Sequence, residues 1–91
     1  MGIEFDPGKD RTNAKKHGVS LAFGASVLAD PARLDMLDLR FDYGEERYVT
    51  YGAVDGRIWV CVHAPREAGS RIISVRKANE RERKRYHETR R

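Results

Sequence analysis

The chain has 91 residues and one cysteine, Cys61. A lone cysteine excludes an intrachain disulfide and any cysteine-based metal cluster, which is the usage of a reducing compartment. No apolar run approaches the roughly 20 residues that a helix needs to cross a bilayer. The opening MGIEFDPGKD has neither a basic start nor an apolar core, so no signal peptide is expected. A cytoplasmic protein is the expectation. There is no glycine-rich phosphate loop, no G-x-S-x-G and no dinucleotide fingerprint. The three histidines, His17, His63 and His87, lack ligand spacing, so neither a metal site nor a cofactor is expected.

What is present is charge. Charged residues make up 35% of the chain and hydrophobic ones 40%, with one Trp, four Tyr and three Phe. That is enough apolar material for a single small domain over residues 1–91 with a modest core. The charge is unevenly placed. Residues 1–70 carry 9 Lys/Arg and 11 Asp/Glu, whereas residues 71–91 carry 9 and 3. A near-neutral body with a basic end sets up a directed field that draws polyanions. Nucleic acid leads the list of partners. A membrane surface is disfavoured, because the end of the chain offers only Tyr86 as a large apolar side chain and an interfacial helix needs a broad apolar face.

Ile3 and Phe5 alternate with polar neighbours and read as a first strand. Asp6-Pro7 reads as a helix start and Gly18 as its stop. That helix has almost no aliphatic content, so it lies on the surface or faces a ligand. Ser20 can cap a second helix, LAFGASVLA, whose Leu21, Ala25 and Leu28 keep helical spacing. A weak strand follows in ARLDMLDLRF, with Leu34, Met36 and Leu39 as inward candidates. RYVTYGAV and RIWVCVHA flank Asp55-Gly56, a strong hairpin signal. The polar loop PREAGS leads to RIISVRK, and Asn79 with Glu82 offers a capping pair for a last helix. The order β-α-α-β-β-β-β-α is α+β, a small and mostly antiparallel sheet with two N-terminal helices and one C-terminal helix.

Three places invite chemistry. His17 would close the first helix, where the carbonyl end raises an imidazole pKa while Lys15 and Lys16 oppose the rise. Its plain role is to cap carbonyls. Its functional role is acid or base beside a phosphate. In RIISVRK, alternation puts Ile72, Ser74 and Arg76 on one face and Arg71, Ile73, Val75 and Lys77 on the other. Arg76 would either pair with Glu46 or Asp42, or hold a phosphate through two parallel bonds. In NERERKRYHE, Tyr86 either anchors the last helix or stacks on a base. His63 and Cys61 face one side of a strand and read as core.

The stretches FDPGKDRTNAKKHGVS, GEERYVTYG, a strand ending in Val-His, and RIISVRKANERERKRY together resemble the BrnT family of ribonuclease toxins from type II toxin–antitoxin systems. The resemblance rests on N-x₃-HG (Asn13, His17, Gly18), E-R (Glu46, Arg47), RIIS-x-R-x-A (Arg71 to Ala78) and E-R-x-x-Y (Glu82, Arg83, Tyr86), and it spans nearly the whole chain. The chain departs from the family where an aromatic often follows Phe5 and Ser20; here Asp6 and Leu21 stand. The resemblance implies a RelE-like fold, which agrees with the order above apart from the additional weak strand. It implies RNA as substrate, a cognate BrnA-like antitoxin as partner, and DNA contact only through that antitoxin. It points to His17, Arg76 and Tyr86 as the catalytic set, with Lys9, Lys16, Arg47, Lys77 and Arg83 holding the RNA backbone.

Without a metal, cleavage would use the RNA's own 2′-OH as nucleophile. That requires a base, a cation on the phosphorane and an acid for the leaving oxygen. Arg76 suits the cation role because it does not deprotonate. The competing expectation is a basic module that binds RNA or an acidic protein without catalysis.

Overall fold

The computed structural model describes residues 2–40, 42 and 44–89. Asp6 opens the first helix, α1 (Pro7–His17), by accepting the Lys9 N–H at 2.9 Å. Pro7 costs that helix nothing, because a first-turn N–H has no intrahelical partner. The helix stops at Gly18, whose φ of 77° lets its N–H return to the Ala14 carbonyl. Only Asn13 is buried along α1, as its polar composition requires. The expected second helix divides into a 3₁₀ turn, Leu21–Phe23, and a short α2, Gly24–Leu28. Ser20 caps the turn, and Asp10 of α1 accepts from both the Ser20 hydroxyl (2.8 Å) and the Leu21 N–H (2.7 Å).

The five strands are β1 (Gly2–Glu4), β2 (Leu34–Leu37), β3 (Tyr48–Val54), β4 (Arg57–Arg66) and β5 (Gly69–Lys77), in the spatial order β1-β5-β4-β3-β2. The sheet is mixed rather than antiparallel: β1 lies parallel to β5, and the other pairs are antiparallel. Alternation in a sequence marks a strand but carries no information about its neighbour's direction. Asp55 and Gly56 turn β3 into β4 with φ of 51° and 80°, the paired positive values of the hairpin turn whose twist matches the strands. The expected loop PREAGS is largely strand, because Pro65 pairs with Ser70 and Arg66 with Gly69. A register shift at Val62/His63 moves the partner from Ser74 to Ile72. Ile73 is thus the extra residue of a bulge, and strict alternation fails there. Ile72 joins Val75 in the core instead of sharing a face with Arg76.

Each sheet face has its own cluster. On one, Leu21, Val27 and Leu28 from the helical layer pack against Trp59, Cys61, Ile72 and Val75. The layers meet so closely that a Cβ on Gly52 would lie 2.3 Å from the Val27 carbonyl oxygen. On the other face, α3 (Glu80–Thr89) covers Tyr51, Ile58, Val60 and Ala78 with Tyr86. Its N-terminus is the anticipated box: Glu82 N–H donates to Asn79 Oδ1 and Asn79 N–H to Glu82 Oε1, both at 2.9 Å. Leu39, an inward candidate, is 80% exposed, because β2 ends at Leu37 and the Asp38 N–H binds the Arg47 carbonyl at 2.7 Å. Among the described residues no helix is long and apolar enough to cross a membrane.

Candidate active site

The site begins with a side chain doing a strand's job. β1 pairs with β5 from Gly69 to Arg71, which leaves the far half of that β5 edge without a strand neighbour among the described residues. Asn13 fills the place. Its Nδ2 donates to the Val75 carbonyl at 2.9 Å and its Oδ1 accepts the Val75 N–H at 3.1 Å. The same Nδ2 reaches the Val19 carbonyl at 3.0 Å. α1 is thereby fixed against the strand. His17, one turn beyond Asn13 on the same helix face, comes to rest beside Ser74 and Arg76.

His17, Lys16, Ser74 and Arg76 line one wall of a groove of about 650 Å³. Its floor is apolar sheet, with Val49, Tyr51, Val60 and Val62. The segment Leu37–Arg40 forms a second wall, and Glu82 and Arg85 of α3 form the third. Lys16, Arg40, Arg76 and Arg85 face Asp38 and Glu82, so cations predominate.

Arg76 is gripped end-on. Its Nη1 and Nη2 each donate to one oxygen of Glu82 at 2.8 Å, and Nη1 also reaches the Lys77 carbonyl at 3.3 Å. The expected carboxylate partners, Glu46 and Asp42, are not the ones used. A guanidinium carries five N–H donors. The Nε–H and the second Nη2 hydrogen remain, and they form the other fork of the plane. The Glu82 hydrogen bonds push the Arg76 pKa up, while Arg76 holds the Glu82 carboxyl below the usual carboxylate range. Tyr51 lies beside Arg76 on the floor of the groove.

His17 moves opposite to the helix-end expectation. Its pKa lies below the ordinary imidazole value, first because of desolvation and then because Lys16 and Arg76 repel the added charge. Two nearby cations and lost water outweigh the carbonyl end of α1. The ring is therefore neutral at physiological pH and able to accept a proton.

Tyr86 does not join this pair. The side chain is fully buried and its hydroxyl donates to Asp30, whose carboxylate also accepts the Ala53 N–H and the Ala32 N–H at 2.8 Å each. The phenol pins α3 to the end of α2, and Tyr51 is the phenol that lines the groove. The other expected RNA contacts separate. Lys9 lines a smaller hollow of about 370 Å³ that shares Lys16, His17 and Ser74 with the groove. Arg47 sits with Arg66 and Arg71 around Glu45, at 3.3, 3.3 and 2.5 Å. Lys77 and Arg83 lie in a third hollow at the start of α3.

Sequence reasoning did not single out Tyr51, Arg40 or Arg85, and it placed Glu82 only as a cap. The alternation of YVTYGAV puts Tyr51 with Val49, but only the register Tyr51↔Val60↔Arg76 shows which face they share. Cys61 is buried in the core, which pushes its thiol up to about 12. His63 neighbours the core. The Thr50 hydroxyl gives its proton to Asp35 (2.5 Å), so it receives one from His63 Nε2 (2.8 Å), and the buried Nδ1 has no partner. Among the described residues no three His, Cys, Asp or Glu side chains gather as metal ligands.

The chain matches a family model described as ribonuclease toxin, BrnT, of type II toxin-antitoxin system, over residues 5–82. No curated protein matches it.

Proposed function

The chain belongs to the BrnT family of ribonuclease toxins from type II toxin–antitoxin systems, and from that premise we propose that the groove beside β5 cleaves RNA by attack of its own 2′-OH. The observation that carries this reading is the meeting of His17 and Arg76, from distant parts of the chain, on one groove. The family brings a cognate antitoxin as partner and RNA as target. A BrnA-like antitoxin, contact with DNA only through it, and a RelE-like fold belong to the same proposal, as does arrest of translation and growth in the cytoplasm.

The neutral His17 ring accepts the 2′-OH proton. The 2′-oxygen then attacks phosphorus while the bond to the 5′-oxygen breaks, giving a 2′,3′-cyclic phosphate and a 5′-hydroxyl as that oxygen takes a proton from solvent water. Charge grows on the non-bridging oxygens during this step. The Nε–Nη2 fork of Arg76 is already held in place by Glu82, so its donors need little reorganisation. Lys16 and Arg85 add long-range attraction, and the apolar floor offers bases a surface that excludes water. Tyr51 replaces Tyr86 as the phenol available to orient the substrate. No step in this scheme needs a metal.

The test is chemical. RNA carrying a 2′-deoxy sugar at the cleaved position should survive, while the matching all-ribose strand is cut to a cyclic phosphate. Cutting of the deoxy strand would remove the 2′-OH mechanism. In cells, expression should arrest growth and Arg76→Ala should relieve the arrest. A protein that binds RNA with steep salt dependence yet leaves it intact would instead be a binding module.

A further inference from the structure

Among the described residues, six arginines are paired with carboxylates: Arg33 with Asp35, Arg40 with Asp38, Arg47, Arg66 and Arg71 with Glu45, and Arg76 with Glu82. The hollow at the start of α3 is different. Arg57, Lys77, Arg83 and His87 line it together with Gly56, Ile58 and Ala78. Among the described residues no carboxylate lines it, and none forms a salt bridge with these cations. Arg83 is oriented by donating from Nη1 to the Ala78 carbonyl at 2.9 Å. The volume, about 350 Å³, falls in the range of roughly 300–1,000 Å³ seen for ligand clefts. Bringing three permanent charges of one sign together costs free energy unless an anion from outside offsets them.

The position of this hollow fits one anion source. At 3.6 residues per turn, with Tyr86 pointing into the sheet, Glu82 and Arg85 fall on one flank of α3 and Arg83 and His87 on the other. The groove with Arg76 lies on the first flank and the uncompensated hollow on the second. Consecutive residues of β5, Arg76 and Lys77, contribute one to each. The helix is a ridge about 10 Å across with a cationic seat on either side.

We infer that this hollow is a second phosphate subsite, which holds a backbone phosphate of the same RNA strand after it crosses α3 from the groove. It rests on the ribonuclease reading and adds where the strand goes. Recognition there is of the phosphate backbone alone, because cations and apolar side chains line the hollow, and these hold a phosphate without reading a base edge. Its contribution is to affinity and strand direction, and it holds no reacting atom.

Binding of 2′-O-methyl oligonucleotides tests the inference, since they keep the phosphates and cannot supply the nucleophile. A tetranucleotide fills the groove alone, and a dodecanucleotide reaches across the ridge. In Arg57→Gln/Lys77→Gln, which leaves α3 untouched, the dodecanucleotide should bind about tenfold more weakly at low salt. Its log–log salt slope should flatten by about 1.4, or ~0.7 for each lost single-strand contact. The tetranucleotide should bind both proteins alike. Arg83→Gln, checked by thermal melting for its link to Ala78, should show the same dependence on strand length with a slope change of ~0.7. An unchanged slope, or an equal loss for short and long strands, would overturn the subsite. Inorganic phosphate saturating the hollow with no dependence on strand length would make it a site for a free anion and would also overturn it. In either case cleavage by the wild-type protein stands. Failure of the wild type to bind or cut RNA at all would remove the ribonuclease reading and this inference with it.

Discussion

The two faces of the sheet are built to opposite rules. Under α1, the 3₁₀ turn and α2 the packing is closed and apolar, with Leu21, Val27, Cys61 and Val75 at zero exposure. Gly52 is bare because Val27 passes directly over it. Under α3 the cover is partial. One residue, Tyr86, carries the helix into the core, and beside the helix the same apolar sheet runs out into a groove rimmed by charge. A face that is fully covered supplies stability. A face that is half covered leaves room for a substrate, and Tyr86, the buried residue of its helix, must do the holding that a whole helix layer does on the other side.

The sharpest test of that contrast is to remove the pin. Tyr86→Ala should cost about 3–5 kcal/mol in urea unfolding, the usual range for emptying a buried aromatic site. That is a large share of the ~5–15 kcal/mol that holds small domains folded. Tyr86→Phe keeps the ring and loses only the bond to Asp30, so it should cost about 1–3 kcal/mol while RNA is still cut at the wild-type rate. A collapse of the rate in a folded Tyr86→Phe would return the phenol to the chemistry.

Arg76→Ala tests the open face. Loss of one preorganised donor group at a transition state costs roughly 10²–10³ in rate, about 2.7–4 kcal/mol. Arg76→Lys should recover little, because an ammonium cannot keep the Glu82 fork and present a second fork to phosphate. A full rate in either variant would end Arg76's assignment. Asn13→Ala bridges the two faces. It leaves the Val75 N–H and carbonyl unpaired at a buried position, which should cost about 1–3 kcal/mol. It should also lower the cleavage rate, because His17 is carried by the same helix. Loss of stability with no change in rate would separate the clamp from the site.

The smallest expected effect is in pH. His63 is held below the ordinary imidazole range chiefly by burial, and its unpartnered Nδ1 has no acceptor for a second proton. The unfolded chain, with an ordinary value near 6.5, therefore binds protons that the folded chain refuses. His63's contribution is fully present above that unfolded value and is lost as pH falls below it towards the folded one. His17 has the same sign. Urea midpoints should fall between pH 7 and pH 5, and His63→Leu should flatten that fall. An identical pH dependence in the variant would remove His63 as its source.

Much of this architecture was legible beforehand. The caps at Asp6, Gly18 and Asn79, the Asp55-Gly56 turn and the order of elements all follow from local chemistry, in which a few adjacent residues satisfy one another's backbone groups. The places that resisted are those set by distant partners. The parallel β1–β5 pairing, the bulge at Ile73 and the strand character of PREAGS depend on register, which no single strand encodes. In the site, His17 and Arg76 were visible as residue types in suggestive positions. The Glu82 grip, the sinking of Tyr86 onto Asp30, and the entry of Tyr51 into the groove were not, since each is a contact across the sheet. The separation of Lys9, of Arg47 and of the pair Lys77 and Arg83 onto different surfaces has the same cause.

By itself the sequence determined the α+β order and the basic C-terminal end, because composition, caps and periodicity act over a few neighbouring positions, and its resemblance to the BrnT family pointed to the two residues on which the proposed chemistry turns. Tertiary structure decided which charges meet and which stand alone. It lowered the His17 pKa where the isolated helix end would raise it, locked Arg76 to Glu82, and withdrew Tyr86 from solvent. Those outcomes depend on desolvation and on Coulomb interactions over a few ångströms, and such distances between remote segments exist only once the sheet has formed.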